Sequence, residues 1–222
     1  MTLTLHAHPL SSYCWKALIA LYEYDLPFAF HQIDFGDEAS AAAFAALWPL
    51  AKMPVLVEDD GPAIAESSIV IEYLTLHHSG PKPLIPADGE AALEVRFLDR
   101  IFDNYVMTPM TQIVFNRIRP ADSRDPYGVA RNRELLDKSY GWLETRLAGR
   151  DWAAGNDFSM ADCAAAPSLH YAEKVQPMAG RFPVVADYLA RLEARPTFAR
   201  VLKEAEPYAH FFPQEPDLAE PA

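Results

Sequence analysis

The chain has 222 residues, of which 50% are apolar, 23% charged and 12% aromatic. That composition excludes global disorder and leaves ample chain for one or two packed cores. Its 19 basic and 31 acidic residues give a net charge of −12, which excludes bulk attraction to nucleic acid or to an anionic membrane, both polyanions.

Cys14 and Cys163 are the two cysteines, too few and too far apart for a disulfide framework. No lysine or arginine falls in the first ten positions, and no apolar run approaches the roughly 20 residues of a membrane helix. A reducing, cytoplasmic setting is therefore expected.

Residues 2–6 alternate apolar and polar, as a half-buried strand does. Apolar residues at 14, 15, 18, 19 and 22 then give 12–24 a helical period. A second strand is predicted over 28–33 and an alanine-rich helix over 40–48. Residues 55–57 and 63–65 flank Asp59, Asp60 and Gly61, the turn chemistry of a hairpin, and a helix follows over 67–77. The order βαβα then ββα predicts a small α/β layer with a parallel part and a terminal antiparallel hairpin.

The stretch 79–89 holds three prolines and two glycines, which forbid a continuous helix or a central strand. It divides the chain into 1–78 and 90–222, and its prolines make it a stiff linker. Beyond it no convincing strand occurs. Leu93, Phe97, Ile101 and Tyr105 recur every fourth residue, and Leu136, Tyr140, Leu143 and Leu147 every fourth or third, so both read as amphipathic helices. Ser159 and Asp162 have the spacing of a capping box ahead of Cys163. Helices over 184–194 and 196–204, the second with proline at its start, complete an all-helical half.

Three turns of the first half have polar ends. Ser11 and Ser12 stand where a strand passes into a helix, so a hydroxyl there joins the positive end of the helix dipole and can donate to an anion. The structural role of the same serines is capping. Lys52, Met53 and Pro54 precede the third strand. A cis Met53–Pro54 bond would turn the Met53 backbone outward, where it could pair with an extended peptide. Glu66 and Ser67 open the helix after the hairpin, a place that attracts a carboxylate, with Glu66 able to accept from an ammonium. All three turns fall on one side of the small sheet.

With these turns placed, the chain resembles the glutathione transferase superfamily. S-S-Y-C-W-K-A-L-I-A-L from Ser11 is similar to the zeta-class opening S-S-C-x-W-R-V-R-I-A-L. W-P-L-A-K-M-P-V-L from Trp48 resembles N-P-x-G-x-V-P-x-L, and A-I-A-E-S-S-I-V-I-E-Y-L from Ala63 resembles L-x-E-S-x-A-I-x-x-Y-L. N-D-F-S-M-A-D from Asn156 matches the S-x-A-D box that opens the buried helix of the second domain. The four matches occur in family order and spacing across most of the chain. Trp48 replaces the usual asparagine, Ala51 the usual glycine, and Tyr13 occupies the position of the zeta-class cysteine, departures that weigh against the zeta class and its maleylacetoacetate isomerase activity more than against the superfamily.

The resemblance implies an α/β thioredoxin-like domain that holds glutathione, followed by an all-α domain that offers a hydrophobic co-substrate surface. Ser11 matches the serine that activates the glutathione thiol, with Ser12 as its neighbour and substitute. Met53 would pair by its backbone with the cysteinyl part beside a cis Pro54, Lys52 would approach the glycyl carboxylate, and Glu66 and Ser67 would hold the γ-glutamyl end. The implied activity is attack of the thiolate on a hydrophobic electrophile, a detoxification chemistry, by a homodimer without a metal. His8, Tyr105, Met107, Phe115 and Arg117 are candidates for the co-substrate pocket, and the aromatic stretch 208–213 is expected to dock over it. Two other readings use the same scaffold: a glutathione-dependent reductase, lyase or isomerase, with Cys14 as a second thiol, and a non-catalytic interaction module. Cys14 and Cys163 are both expected to be packed, reduced thiols. No convergent His, Cys or carboxylate set has ligand spacing, so no metal is expected.

Overall fold

The computed structural model describes residues 2–78 and 80–215. Alternation sets the first strand: Leu3, Leu5 and Ala7 of β1 (Leu3–Ala7) are buried, and Thr4 and His6 are half-buried. β1 is one of the two inner strands of a four-stranded sheet of order β2-β1-β3-β4. β2 (Phe28–Gln32) runs parallel to it, with Leu3 opposite Phe28. β3 (Val55–Glu58) runs antiparallel, with Leu5 opposite Leu56, and β4 (Ile64–Ala65) closes the hairpin.

The parallel pair requires a crossover, and α1 (Ser12–Glu23) supplies it. Every residue from Cys14 to Leu21 is buried, so α1 is apolar nearly all round and lies between the sheet and the helical half. α2 (Glu38–Leu47) begins two residues before the sequence signal because Asp37 caps it, accepting from Ser40 N at 2.9 Å. Its Phe44 packs with Ile33 and Val55 in a small second cluster. α3 (Ser67–His77) has the expected bounds.

The second half is helical: α4 (Gly89–Ile101), a π-helical segment Phe102–Met107, α5 (Thr108–Ile118), α6 (Pro126–Leu147), α7 (Met160–Glu173), α8 (Pro183–Glu193) and α9 (Pro196–Ala205). α7 is its axis and packs against α1 and α4. Small Ala164, Ala165 and Ala166 allow close approach there. The capping box forms: fully buried Asp162 accepts from Ser159 N at 2.8 Å and Ser159 Oγ at 3.0 Å. Asp162 also accepts from Ala153 N at 2.8 Å and Tyr188 Oη at 2.5 Å. A mixed α/β domain followed by an all-α domain is thus the architecture, as expected.

Two features correct the sequence reading. Leu93, Phe97 and Tyr105 are exposed, and the buried face of this region is instead Ala92, Val95, Leu98, Phe102 and Val106. α5 was not delimited from the sequence. Leu136, Tyr140, Leu143 and Leu147 are buried as expected. Among the described residues no helix is long and apolar enough to cross a membrane.

Candidate active site

The turn between β1 and α1 is held from several directions. Ser11, at φ −75° and ψ 118°, caps α1, its Oγ accepting from Cys14 N at 3.4 Å. Accepting leaves the hydroxyl proton of Ser11 free to be donated elsewhere. Trp15 Nε1 donates to Pro9 O at 2.5 Å and Tyr171 Oη to Leu10 O at 2.9 Å. Leu10 N donates to His8 Nδ1 at 3.2 Å. The Tyr171 ring stacks on Trp15 at 4.7 Å and on Phe212 at 5.4 Å, so sheet domain, α7 and tail meet in one aromatic column.

A cavity of about 560 Å³ opens on this turn. His8, Ser11, Ser12, Lys52 and Met53 line it from the sheet domain. Met110, Val114, Phe115 and Ile118 of α5 line it from the helical domain, and Phe211 to Pro213 cover one side. A polar wall at a helix N-terminus thus faces an apolar wall, the arrangement a polar thiol and a hydrophobic partner require. A second cavity, of about 570 Å³, lies between α1, β2 and α9 beside Tyr22, Phe28, Arg200 and Glu204. It contains none of the candidate catalytic or glutathione-binding residues. Tyr208, the first residue of the stretch expected over the co-substrate pocket, lines this cavity instead and donates to Gln32 Oε1 at 3.0 Å. The polar groups Tyr22, Arg200 and Glu204 there are already paired with one another.

The other candidates fall as follows. The Met53–Pro54 bond is cis and Pro54 is buried behind the cavity wall. Ala51 has φ 50°, the left-handed conformation for which the family motif carries glycine. Glu66, exposed at φ 69°, and buried Ser67 stand at the start of α3. Tyr13 follows Ser12 in the first turn of α1, and burial first, then the Asp103 and Glu66 carboxylates, push the pKa of its phenol up.

Three placements differ from expectation. Tyr105 lines a separate apolar groove with Phe97 and Trp142, because the π-helical segment turns it away from the cavity. Met107 is fully buried in the core. Arg117 is buried under the tail, donating from Nη1 to Pro213 O at 2.9 Å. Cys14 and Cys163 are fully buried, and burial pushes the Cys14 thiol up to about 12. Tyr171 and the cavity residues Met110, Val114 and Ile118 went unnoticed in the sequence. Their helices were legible in part, but no motif marks which face meets the Ser11 turn. Among the described residues, no group of three or more His, Cys, Asp or Glu could hold a metal ion.

A thioredoxin-like sheet, a serine at the start of its first helix and a helical second domain define the class. Residues 5–82 match the family described as glutathione S-transferase, N-terminal domain, and residues 126–191 its C-terminal domain. The chain belongs to the glutathione S-transferase superfamily. It is 29% identical over 213 residues to the FtsZ-localized protein A of Caulobacter vibrioides, covering 92% of each chain. It is 28% identical over 218 residues to a probable maleylacetoacetate isomerase of Vibrio cholerae, covering 94% of this chain and 99% of that one. Among solved structures, a glutathione S-transferase of Methylobacterium radiotolerans in complex with glutathione sulfonate is similar with a TM-score of 0.78 and 28% identity, covering 100% of both chains.

Proposed function

We propose that the protein is a glutathione transferase that holds glutathione along the sheet domain and activates its thiol through Ser11. The observation that carries the reading is that Ser11 and Ser12, at the N-terminus of α1, line the same cavity as Met53 and the apolar face of α5. A free thiol has a pKa of about 8.5, so only a few per cent is thiolate at neutral pH. One hydroxyl donor and a helix N-terminus together lower such a value by about one to two units. In this reading the Met53 backbone pairs with the cysteinyl part, Lys52 meets the glycyl carboxylate, Glu66 and Ser67 take the γ-glutamyl end, and Met110, Val114, Phe115 and Ile118 receive a hydrophobic electrophile. The unit is a homodimer, each chain divided by the linker 79–89.

A second reading has support in the isomerase relative: a thiolate that adds to a conjugated double bond and leaves again isomerises it. Reductase or lyase chemistry through Cys14 is disfavoured by that thiol's burial. The FtsZ-localized relative carries a name for localisation rather than a reaction, so the test must also separate catalysis from binding.

The test is the ultraviolet titration of bound glutathione, with conjugation of 1-chloro-2,4-dinitrobenzene, in wild type, Ser11→Ala and Ser12→Ala. Wild type is expected to hold the thiol pKa below that of free glutathione, and Ser11→Ala to slow conjugation by about ten- to a thousandfold. A normal thiol pKa with no conjugation or isomerisation would replace the enzyme by a binding module.

A further inference from the structure

Three cations gather around the chain segment that closes the cavity on its tail side. Arg117 of α5 is buried, with 6% of its side chain accessible, and Arg133 of α6 is partly buried. Lys174, at the end of α7, holds its Nζ 6.0 Å from the centre of the Phe212 ring. The chain as a whole carries a net charge of −12, so this grouping runs against its composition. Among the described residues, Glu215 is the one carboxylate that pairs with either arginine. Its Oε1 lies 2.9 Å from Arg133 Nη2 and its Oε2 3.5 Å from Arg117 Nη2.

The neighbouring carboxylates are engaged elsewhere. Asp137 accepts from Arg181 Nη2 at 2.6 Å and from Gln176 Nε2 at 2.8 Å, and Glu173 accepts from Met178 N at 2.6 Å. Arg133 gives Nη1 to Val175 O and Gln176 Oε1, and Arg117 gives Nη1 to Pro213 O at 2.9 Å. Arg117 Nε is buried and makes no hydrogen bond among the described residues. A guanidinium out of water, with a donor unused and a second cation beside it, favours the approach of an anion. Burial and the Arg133 charge both push the Arg117 pKa down, and Glu215 offsets only part of that. Glu215 is itself 64% exposed, so water already solvates it and the pair holds it weakly.

The two arginines adjoin the apolar wall of the cavity. An α-helix turns once in 3.6 residues, so Arg117, seven residues past Met110, leaves α5 on the face that carries Met110 and Val114. Pro213, whose carbonyl Arg117 holds, also lines the cavity. We propose that Arg117 and Arg133 form a carboxylate clamp for the co-substrate, which Glu215 fills as an internal stand-in until the co-substrate displaces it. The assignment rests on the glutathione transferase reading and names its substrate class. That class is an electrophile with an apolar body, received by Met110, Val114, Phe115 and Ile118, and a carboxylate at one end. The placement of Glu215 shows how one carboxylate spans both guanidinium groups, one oxygen to each. An incoming carboxylate meets the same donors and also covers the apolar wall, so it outcompetes a carboxylate that stands mostly in water. One anion replaces another, and the local charge is unchanged.

The test compares 4-chloro-3,5-dinitrobenzoate with its methyl ester as co-substrates of glutathione in wild type, Arg117→Gln, Arg133→Gln and Glu215→Gln. With either probe the thiolate sulfur bonds to the ring carbon and chloride leaves with the C–Cl electron pair. Wild type is expected to show the lower KM for the benzoate. Arg117→Gln and Arg133→Gln should each cut the benzoate-to-ester ratio of kcat/KM by about ten- to fiftyfold. Glu215→Gln should act the other way, lowering the KM for the benzoate by about two- to fivefold. Equal losses with both probes in the arginine variants would make the pair a fastening for the tail only. An unchanged benzoate KM in Glu215→Gln would show that Glu215 occupies no ligand site; either result overturns the assignment. Should Arg117→Gln fail to fold, Arg133→Gln, at a partly exposed side chain, carries the same comparison. If wild type conjugates neither probe, the transferase reading fails and the clamp with it. Conjugation of both without discrimination removes the clamp alone.

Discussion

The Tyr171 hydroxyl, on the most buried helix of the helical domain, donates at 2.9 Å to the carbonyl of Leu10, the residue immediately before Ser11. Burial holds the phenol above its ordinary pKa, so it remains a donor throughout the working range. The second domain thereby helps fix the loop from which the first domain presents its serine. Tyr171→Phe keeps the stacks on Trp15 and Phe212 and deletes this bond alone. The variant should lose about 1 kcal/mol of stability and several-fold in kcat/KM, with a smaller change in KM for glutathione. Wild-type kinetics and Tm in that variant would show that the turn holds itself.

The two thiols should be silent in the folded protein. Cys14 is fully buried with its pKa pushed up to about 12, and burial also raises Cys163. A disulfide-exchanging reagent such as Ellman's acts on thiolates it can reach. It should react with neither cysteine in the native protein and with both in denaturant. Rapid native labelling of one thiol, mapped to Cys14, would reopen the redox chemistry set aside above.

Fully buried Asp162 gathers four donors: two from Ser159, one from Ala153 and one from Tyr188. Asp162→Ala leaves them all unsatisfied, and urea unfolding should register a loss of about 3–5 kcal/mol. Asp162→Asn keeps one acceptor oxygen and should fall between. A loss below about 1 kcal/mol in the alanine variant would mean that the capping network is replaced by another.

Acid should weaken the fold below neutrality. Burial lowers the pKa of His6, His8 and His170, outweighing for His170 the Glu193 carboxylate at 2.7 Å. An imidazole that resists protonation when folded binds its proton first in the unfolded chain. Stability is therefore complete above the ordinary value of 6.5 and declines as the pH falls from there toward the lowered folded values. Tm measured from pH 8 to 5.5 should be flat and then fall, less steeply in His170→Gln. A wild-type Tm that stays level to pH 5.5 would contradict this.

The legible parts of the molecule were those with local causes. Strand alternation in β1, the serine cap of α1 and the Ser159–Asp162 box each act within a few residues, and each is where the residues placed it. The stripe Leu93, Phe97, Ile101 and Tyr105 misled because a strict four-residue spacing advances about 40° per step, so three steps carry it off any one face. The true face moves by three, three and four through Ala92, Val95, Leu98 and Phe102. The π-helical segment then adds its own rotation, which no residue type announces, and takes Tyr105 with it. Lys16 and Asp103 are 87 positions apart and Leu10 and Tyr171 are 161 apart. Pairings at that distance depend on the docking of two domains, which periodicity does not encode.

That docking has a thermodynamic consequence. α1 belongs by chain order to the sheet domain, yet Lys16 finds its counter-ions on the helical one and the surrounding residues are buried on every side. Separating the halves would expose the apolar faces of α1 to water and leave the buried carboxylates of the helical half without the Lys16 ammonium, so the two halves are expected to fold as one unit. Heat or urea should melt both together in one all-or-none transition, seen at the same midpoint by far-ultraviolet circular dichroism and by tryptophan fluorescence.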